Sequence, residues 1–348
     1  MTSALGSPGE AARALTIRDV ARHAGVSIST VSRVMNGKRV RPELEQAVQQ
    51  VLSDLNFRPS AVARSMVNGT TQTVGVLVED ISSAYYAELI KGIEGVLEKT
   101  GHHPLFKSSH WNVEFEEEAL RVFLDHNVDA IIVVGGLLPE ARLAALVGRL
   151  PLVIVGRSGL SRVSLSLGAA LLTLDQRGGA ALATRHLIEL GHRQIVHLCG
   201  RPTQEDALAR LQGYRDAMAA HGLEVRPEWV LEGDFLEVVA YRAMLGLVER
   251  KLPFTAVFAA NDQMAFGANL ALHRKGLRVP DDVSLIGFDD LPVSAYMVPP
   301  LTTVRQPAQQ LGEAAARAAH DLMNHTSPVL AQLQLNLVLR ESTRALRR

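Results

Sequence analysis

Thr16 to Asn36 reads T-I-R-D-V-A-R-H-A-G-V-S-I-S-T-V-S-R-V-M-N. Thr16 is a good N-cap, and Val20, Ala21 and Ala24 recur at helical spacing, so a short amphipathic helix is expected from Ile17 to Ala24. Gly25 supplies a sharp turn, Val26 plugs the gap behind it, and Ser27 caps a second helix running from about Ile28 to Met35. Val31 and Val34 turn inward toward Val20 and Ala24, which leaves Ile28, Ser29, Ser32 and Arg33 on the outer face. This is the pattern of a helix-turn-helix, whose second helix lies in the DNA major groove. There an arginine can grip both acceptors of guanine and an apolar side chain can meet the thymine methyl. On that reading Ile28, Ser29 and Arg33 face bases with Ser32 beside them, while Thr16, Ser27, Thr30 and Asn36 contact phosphates. Spacing alone also allows an ordinary helical hairpin with a solvated Arg33.

The sequence downstream narrows the choice. Pro42 opens a third helix to about Leu55, with Leu44, Val48, Val51, Leu52 and Leu55 on its buried side. Then come N-F-R-P-S-A-V-A-R-S-M, Asn56 to Met66, and the polar N-G-T-T-Q-T, which reads as a linker. A helix-turn-helix followed by P-S-A-V-A-R-S-M resembles the lactose/galactose repressor (LacI/GalR) family, the hinge being most similar to its purine-repressor branch. The resemblance implies a hinge helix that presents Ala61, Arg64 and Met66 to DNA, with Met66 where the family usually places a leucine wedge for the minor groove. An unbranched apolar side chain can unstack a base step there, although methionine is more flexible than leucine.

Charge divides the chain the same way. Up to Gly69 nine basic residues face five acidic ones, a net +4, whereas the 348-residue chain as a whole nets zero. The cationic segment is therefore the one suited to phosphates. Residues 1–15 lack a basic start and a long apolar run and read as a disordered tail without an export signal. No apolar run approaches membrane-spanning length, and the lone Cys199 rules out a disulfide framework, so a cytoplasmic protein is expected. Cys199 shares a strand face with His197 but no third ligand is near, and His102, His103 and His110 have no metal spacing and read as solvated. No metal, no cofactor and no catalytic group is indicated.

From Thr73 the pattern alternates strand and helix: T-V-G-V-L-V, a helix from about Ala87 to Thr100, P-L-F-K-S, then V-D-A-I-I-V-V-G-G and P-L-V-I-V. After A-L-L-T-L-D the series restarts, with helices near Arg177 to Leu190 and Ala207 to His221 among further strands. The fold class is thus α/β, an all-α helix-turn-helix head followed by two lobes of doubly wound parallel sheet, and the resemblance implies the two-lobed periplasmic-binding-protein-like form. The expected division is a head over 16–57, a hinge and linker over 58–72, and a core over 73–343. Within the core the first lobe takes 73–174 and 304–326, the second 175–300 and 327–343.

Ligands of such sheets sit beyond the strand carboxyl ends, so two facing lobes enclose a cleft there. Following the strands come Asp80-Ile81-Ser82-Ser83-Ala84-Tyr85-Tyr86, Gly156-Arg157, Asn261-Asp262 and Asp289-Asp290. Carboxylates and amides pair with vicinal hydroxyls, while aromatic faces pack on sugar C–H surfaces or stack on a base. The family resemblance implies that Arg210, Asn261 and Asp289 hydrogen-bond an effector and that Tyr85, Tyr86 and Phe235 wall it; Arg157 and Asp206 join them. Gln204 and Asp206 stand where the purine-repressor branch has a basic and a hydroxyl side chain, and Gly156 where many relatives have aspartate. Aspartates with few cations favour hydroxyl donors, so a neutral sugar leads and a nucleoside follows.

The stretches A-N-D-Q-M-A-F-G-A, G-L-R-V-P-D-D-V-S-L-I-G-F-D-D and P-P-L-T-T-V-R-Q are similar to the lactose-repressor branch and extend the resemblance to about Thr343. The closing R-A-L-R-R leaves no room for leucine heptads, so a homodimer on palindromic operator DNA is expected. Two other classes were weighed. A periplasmic sugar-binding protein would carry a signal peptide and no DNA-reading head. An α/β enzyme would need a nucleophile–base pair or a phosphate loop, and neither G-x-G-x-x-G after the first strand nor G-x-x-x-x-G-K occurs.

Overall fold

In a computed structural model, residues 15–35, 38–57, 69–157, 169–330 and 332–346 are described. The chain separates into two compact units, residues 1–71 and 72–348.

Unit one is a three-helix mini-core. Helices α1 (Ile17–His23), α2 (Ile28–Met35) and α3 (Pro42–Asp54) pack around Val20, Val31 and Val48, each fully buried, and Ala21. Val34, Val51, Leu52 and Leu55 close the cluster, but Leu44 does not join it. Leu44 sits in the first turn of α3, beyond the reach of α1 and α2, and is exposed, so its expected burial is corrected. Gly25 has φ 65, the left-handed turn that lets α2 double back on α1.

Unit two holds two sheets. The first runs β2-β1-β3-β4-β5, all parallel: β1 (Thr73–Val78), β2 (His103–Ser108), β3 (Ala130–Val134), β4 (Leu152–Val155) and β5 (Ala170–Leu172). Side chains alternate across β1. Val74, Val76 and Val78 meet helix α4 (Ala84–Leu97), while Leu77 meets helix α5 (Val113–Asp125) through Phe123. The α4 helix starts three residues earlier than its apolar spacing predicts, because Ser83 occupies the N-cap position and its carbonyl accepts from Ala87 N at 3.0 Å. Tyr85 and Tyr86 therefore stand on a rigid first turn, not in a loop. Helix α6 (Glu140–Val147) completes the side of the sheet that holds Phe123.

The second sheet runs β11-β10-β9-β8-β6-β7: β6 (Ile195–Cys199), β7 (Val230–Glu232), β8 (Ala256–Ala259), β9 (Ser284–Asp289), β10 (Thr302–Arg305) and β11 (Asn336–Val338). Only β11 is antiparallel, against β10. Helices α7 (Gln176–Glu189) and α8 (Glu205–Ala220) cover one face, α9 (Glu237–Glu249) and α10 (Asp262–Arg274) the other. The chain then returns. Helix α11 (Ala308–Met323) packs on the first sheet beside α4, so the crossing falls after Arg305 and Val304 and Arg305 belong to the second lobe. Glycines permit the α4–α11 approach: a Cβ on Gly92 would lie 2.0 Å from the Gln309 carbonyl oxygen, and one on Gly312 2.0 Å from that of Leu89.

Candidate DNA-reading head and ligand cleft

On the head, Thr16 N and Oγ1 donate to Asp19 Oδ2 at 3.0 and 2.7 Å, which fixes the start of α1. Ser27 Oγ accepts from Thr30 N at 3.1 Å and contacts Ser29 Oγ at 2.7 Å, ordering the first turn of α2. Ile28, Ser29 and Arg33 are exposed, Ile28 at 45% despite being a large apolar side chain; Ser32 and Thr30 are half-buried. The exposure of Ile28 and of Arg33 leaves both open to a groove. Asn36, Ala61, Arg64 and Met66 lie outside the described residues, as does the tail through residue 14.

In unit two a cavity of about 210 Å³ lies between the sheets, lined by all eight expected side chains: Tyr85, Tyr86, Arg157, Asp206, Arg210, Phe235, Asn261 and Asp289. The strand ends supply half of them, α8 supplies Asp206 and Arg210, and the α4 first turn supplies the tyrosines. Arg210 is heavily engaged. Its Nε donates to Gln176 Oε1 at 3.0 Å, Nη1 donates to the Ala260 carbonyl and stands 3.8 Å from Asp289, and its guanidinium lies 4.0 Å from the Phe288 ring centroid and 5.5 Å from that of Phe235. Asp289 accepts from Gln306 Nε2 at 2.7 Å, and Gln306 in turn accepts from Gln176 at 2.8 Å. This buried chain of amides joins two of the places where the polypeptide crosses between lobes.

Asn261 caps α10, accepting from Met264 N at 2.9 Å and donating to the Phe235 carbonyl at 3.1 Å. One N–H and one lone pair remain for a ligand. Asp206 differs. Among the described residues no donor reaches its carboxylate, which faces the cavity; burial raises its pKa above the usual carboxylate range, and Arg210 opposes only part of that rise. A Cβ on Gly156 would lie 4.0 Å from Asp206 Oδ2, so glycine there leaves the carboxylate open. Arg157 Nη1 is likewise buried with no hydrogen-bond partner among the described residues.

Burial, resisted by Arg210, raises Asp289 too. Glu79, Gln176 and Gln306, which the sequence reading passed over, also line the cavity. Glu79 accepts from Tyr86 Oη at 2.7 Å, from Gln204 Nε2 at 3.2 Å and from Gly136 N at 3.3 Å, and burial raises its pKa. It directly precedes the Asp80 that the strand-end reading began on, so one residue more would have found it. Asp80, by contrast, folds onto Ser82 N at 2.9 Å as a turn former. Asp262 is buried against Ser294, Thr303 and Leu291 N, and Asp290 pairs with Arg305 and Arg340 at 2.6 Å each. Those two aspartates build the fold beside the cavity and do not line it.

The histidines and the thiol are framework. His197 stacks on Tyr214 with centroids 5.0 Å apart and its Nδ1 bonds the Phe258 carbonyl at 3.1 Å; burial pushes its pKa down to about 3. Cys199 donates to the Leu231 carbonyl at 3.2 Å and burial pushes its thiol up. His103 and His110 are exposed, whereas His102 is half-buried with its ring 5.9 Å from that of His320, a correction to its expected solvation.

Residues 16–60 match the family model for bacterial regulatory proteins of the lacI family, and 184–343 match a periplasmic binding protein-like domain. The chain is 40% identical over 305 residues to the HTH-type transcriptional regulator GalR of Escherichia coli K12, covering 87% of this chain and 88% of that one. The chain belongs to the LacI family. It is also 35% identical to the transcriptional repressor PurR of Pasteurella multocida Pm70, over 95% of this chain and 99% of that one. Among solved structures it is similar to a lac repressor dimer bound to operator and the anti-inducer ONPF, with TM-score 0.85 and 26% identity over 96% of this chain and all of that one. A CelR–cellobiose complex aligns with TM-score 0.70 at 31% identity, over 94% and 99%. This LacI-family chain is therefore a DNA-binding transcriptional regulator and not an enzyme. Among its described residues no helix is long and apolar enough to cross a membrane.

Proposed function

We propose that the protein is a cytoplasmic repressor of carbohydrate uptake or catabolism genes, a homodimer that binds palindromic operator DNA and answers to a small neutral sugar. The head (16–57) reads the operator, with Ile28, Ser29 and Arg33 at bases and Thr16, Ser27, Thr30 and Asn36 at phosphates; the segment 58–72 forms the hinge, where Ala61, Arg64 and Met66 meet the minor groove. The core (73–343) holds the effector. One observation carries the ligand class: Asp206 and Arg157 Nη1 line the cavity, and among the described residues neither has a hydrogen-bond partner, an acceptor and a donor that a polyhydroxylated molecule satisfies together. With Glu79 and Asp289 also present, carboxylates outnumber the two arginines, which disfavours phosphates and carboxylic acids. At about 210 Å³ the cavity is below the ~300–1,000 Å³ of drug-sized ligand sites, which suits a small effector.

Effector binding biases the angle between lobes, and DNA affinity changes by the effector's preference for one arrangement, about 1–3 kcal/mol in typical couplings. The test joins two measurements: gel shifts on the chain's own upstream DNA at several salt concentrations, and a thermal-shift screen of neutral monosaccharides against nucleosides. A specific complex that a monosaccharide alters is expected. No complex with any palindromic fragment overturns the operator reading. Tyr85, Tyr86 and Phe235 support a second reading, a nucleoside stacked between rings, and a nucleoside giving the largest thermal shift with sugars silent would select it.

A further inference from the structure

One contact between the two lobes lies at the edge of the cavity. Arg201, just past β6 in the second lobe, sets its guanidinium carbon 4.5 Å from the ring centroid of Trp111, which follows β2 in the first lobe. The same guanidinium is held from behind: Nη2 donates to Asp234 Oδ2 at 3.1 Å, in the turn after β7. Trp111 lines the cavity, whereas Arg201 and Asp234 do not. Two further bonds span the lobes at the cavity wall, Gln204 Nε2 to Glu79 at 3.2 Å and Ser83 Oγ to Gln263 Oε1 at 3.1 Å. The lobes are thus drawn together at the cavity wall.

Both turns that present this contact are unusual in backbone. His110 and Trp111 have φ 50 and 55, and Asp234 and Phe235 have φ 57 and 58, a region that residues other than glycine enter only when their surroundings hold them there. They are held: His110 N donates to the Glu79 carbonyl at 2.8 Å, and Gly233 N to the Cys199 carbonyl at 2.8 Å. Each strained pair therefore hangs from a strand end, and the two bring an aromatic and an anionic partner to one arginine. Arg201 and Asp234 are about one-third exposed at 29% and 33%, so the contact can break without leaving a charge stranded in the interior.

We propose that Arg201 and Trp111 form a clasp that biases the empty lobes toward closure, and that this bias sets how easily an effector enters and the lobes change angle. The proposal rests on the reading that the angle between lobes carries the signal, but its test needs no effector. The chain has two tryptophans, and Trp229 is 4% exposed with an Nε1 that has no hydrogen-bond partner among the described residues, so Trp229→Phe orphans nothing and leaves Trp111 as the sole emitter. In that full-length, ligand-free protein, acrylamide quenching of Trp111 and the radius of gyration from X-ray scattering are measured.

Arg201→Gln is expected to raise quenching and populate the open form about two- to five-fold more, the shift that a partly exposed cation–π pair supports. Arg201→Lys, which keeps the charge, is expected to fall between the two, and Asp234→Asn to resemble it. A purely structural role would lower the melting temperature and leave quenching of the folded protein unmoved, and that result overturns the clasp. Should Arg201→Gln not fold, Arg201→Lys and Asp234→Asn decide the matter by the same two readouts. A wild-type protein indifferent to every sugar and nucleoside would sink the proposed effector while leaving this measurement intact.

Discussion

The reading head and the ligand cleft solve opposite problems. On α2 the side chains proposed to meet DNA stand outside the cluster around Val20, Val31 and Val48, so on that reading the head's stability and its specificity reside in different atoms. In the cleft they are the same atoms. Arg210 and Asn261 are 4% and 5% exposed, and each is bonded to chain segments that also define the sheets' ends. A surface reader can change its sequence preference without refolding. A buried receptor can change its ligand only by rebuilding part of its core.

Arg210→Ala should break that contrast hardest. It strands Asp289 and removes the amide chain's cation from a buried site, which costs about 3–5 kcal/mol where a buried pair loses one partner. The raised pKa of Asp289 lets it take up a proton, which places the cost near the lower figure. Chemical denaturation of the empty protein checks this, and a midpoint equal to wild type would show that the network is ornamental. Asp206→Asn separates the two roles that Arg210 merges. Among the described residues none bonds Asp206, so stability of the empty protein should hold or rise slightly, while effector affinity falls by about 1.5–3 kcal/mol, the worth of hydrogen bonds to a charged group. Calorimetric titration with the sugar found in the thermal screen provides the measurement, and unchanged affinity would remove Asp206 from the site. Arg33→Ala should act on binding alone: operator affinity drops by about 1–3 kcal/mol, with stability within about 0.5 kcal/mol. A large loss of stability would mean that the head is less divided than its burial pattern says.

The same contrast decides what could be read from sequence. Arg33 and Ile28 were legible because one local period assigns faces to a helix, and Val31 and Val34 turn inward as that period requires. Asn261 and Asp289 were legible because α/β sheets bring strand ends to one place, whereas Arg210, on helix α8, was named only through the family resemblance. Gln176 and Gln306 were not: 130 residues separate them, glutamine is ordinary on a surface, and only the chain crossing between lobes brings them together. Glu79 was hidden by its neighbour, since an acidic pair after a strand suggests a turn and only the second of the two makes one. Leu44 misled because periodicity assigns a stripe to α3 without saying where the partner helices end.

The smallest expected effect is the pH dependence that burying carboxylates imposes on the empty cleft. Burial raises the pKa of Asp206 in the folded protein, so between the usual carboxylate range near 3.9 and that raised value the folded form binds more proton than the unfolded chain. Its contribution to stability is then complete at low pH and disappears as pH rises through the folded pKa. Half-buried His186 and buried His192 and His197 pull the other way, since burial lowers their pKa values and acid below about 6.5 favours their unfolded, charged forms. The two trends overlap, so wild type is compared with Asp206→Asn, in which the histidines cancel. Wild type should gain on the variant as pH falls through the raised pKa of Asp206, by about 1.4 kcal/mol for each tenfold change in its proton affinity on folding. A bound sugar whose hydroxyls donate to Asp206 favours the carboxylate and should flatten that difference. If the difference runs flat without ligand, Asp206 is solvated, and the cleft is closer in kind to the open surface of the head.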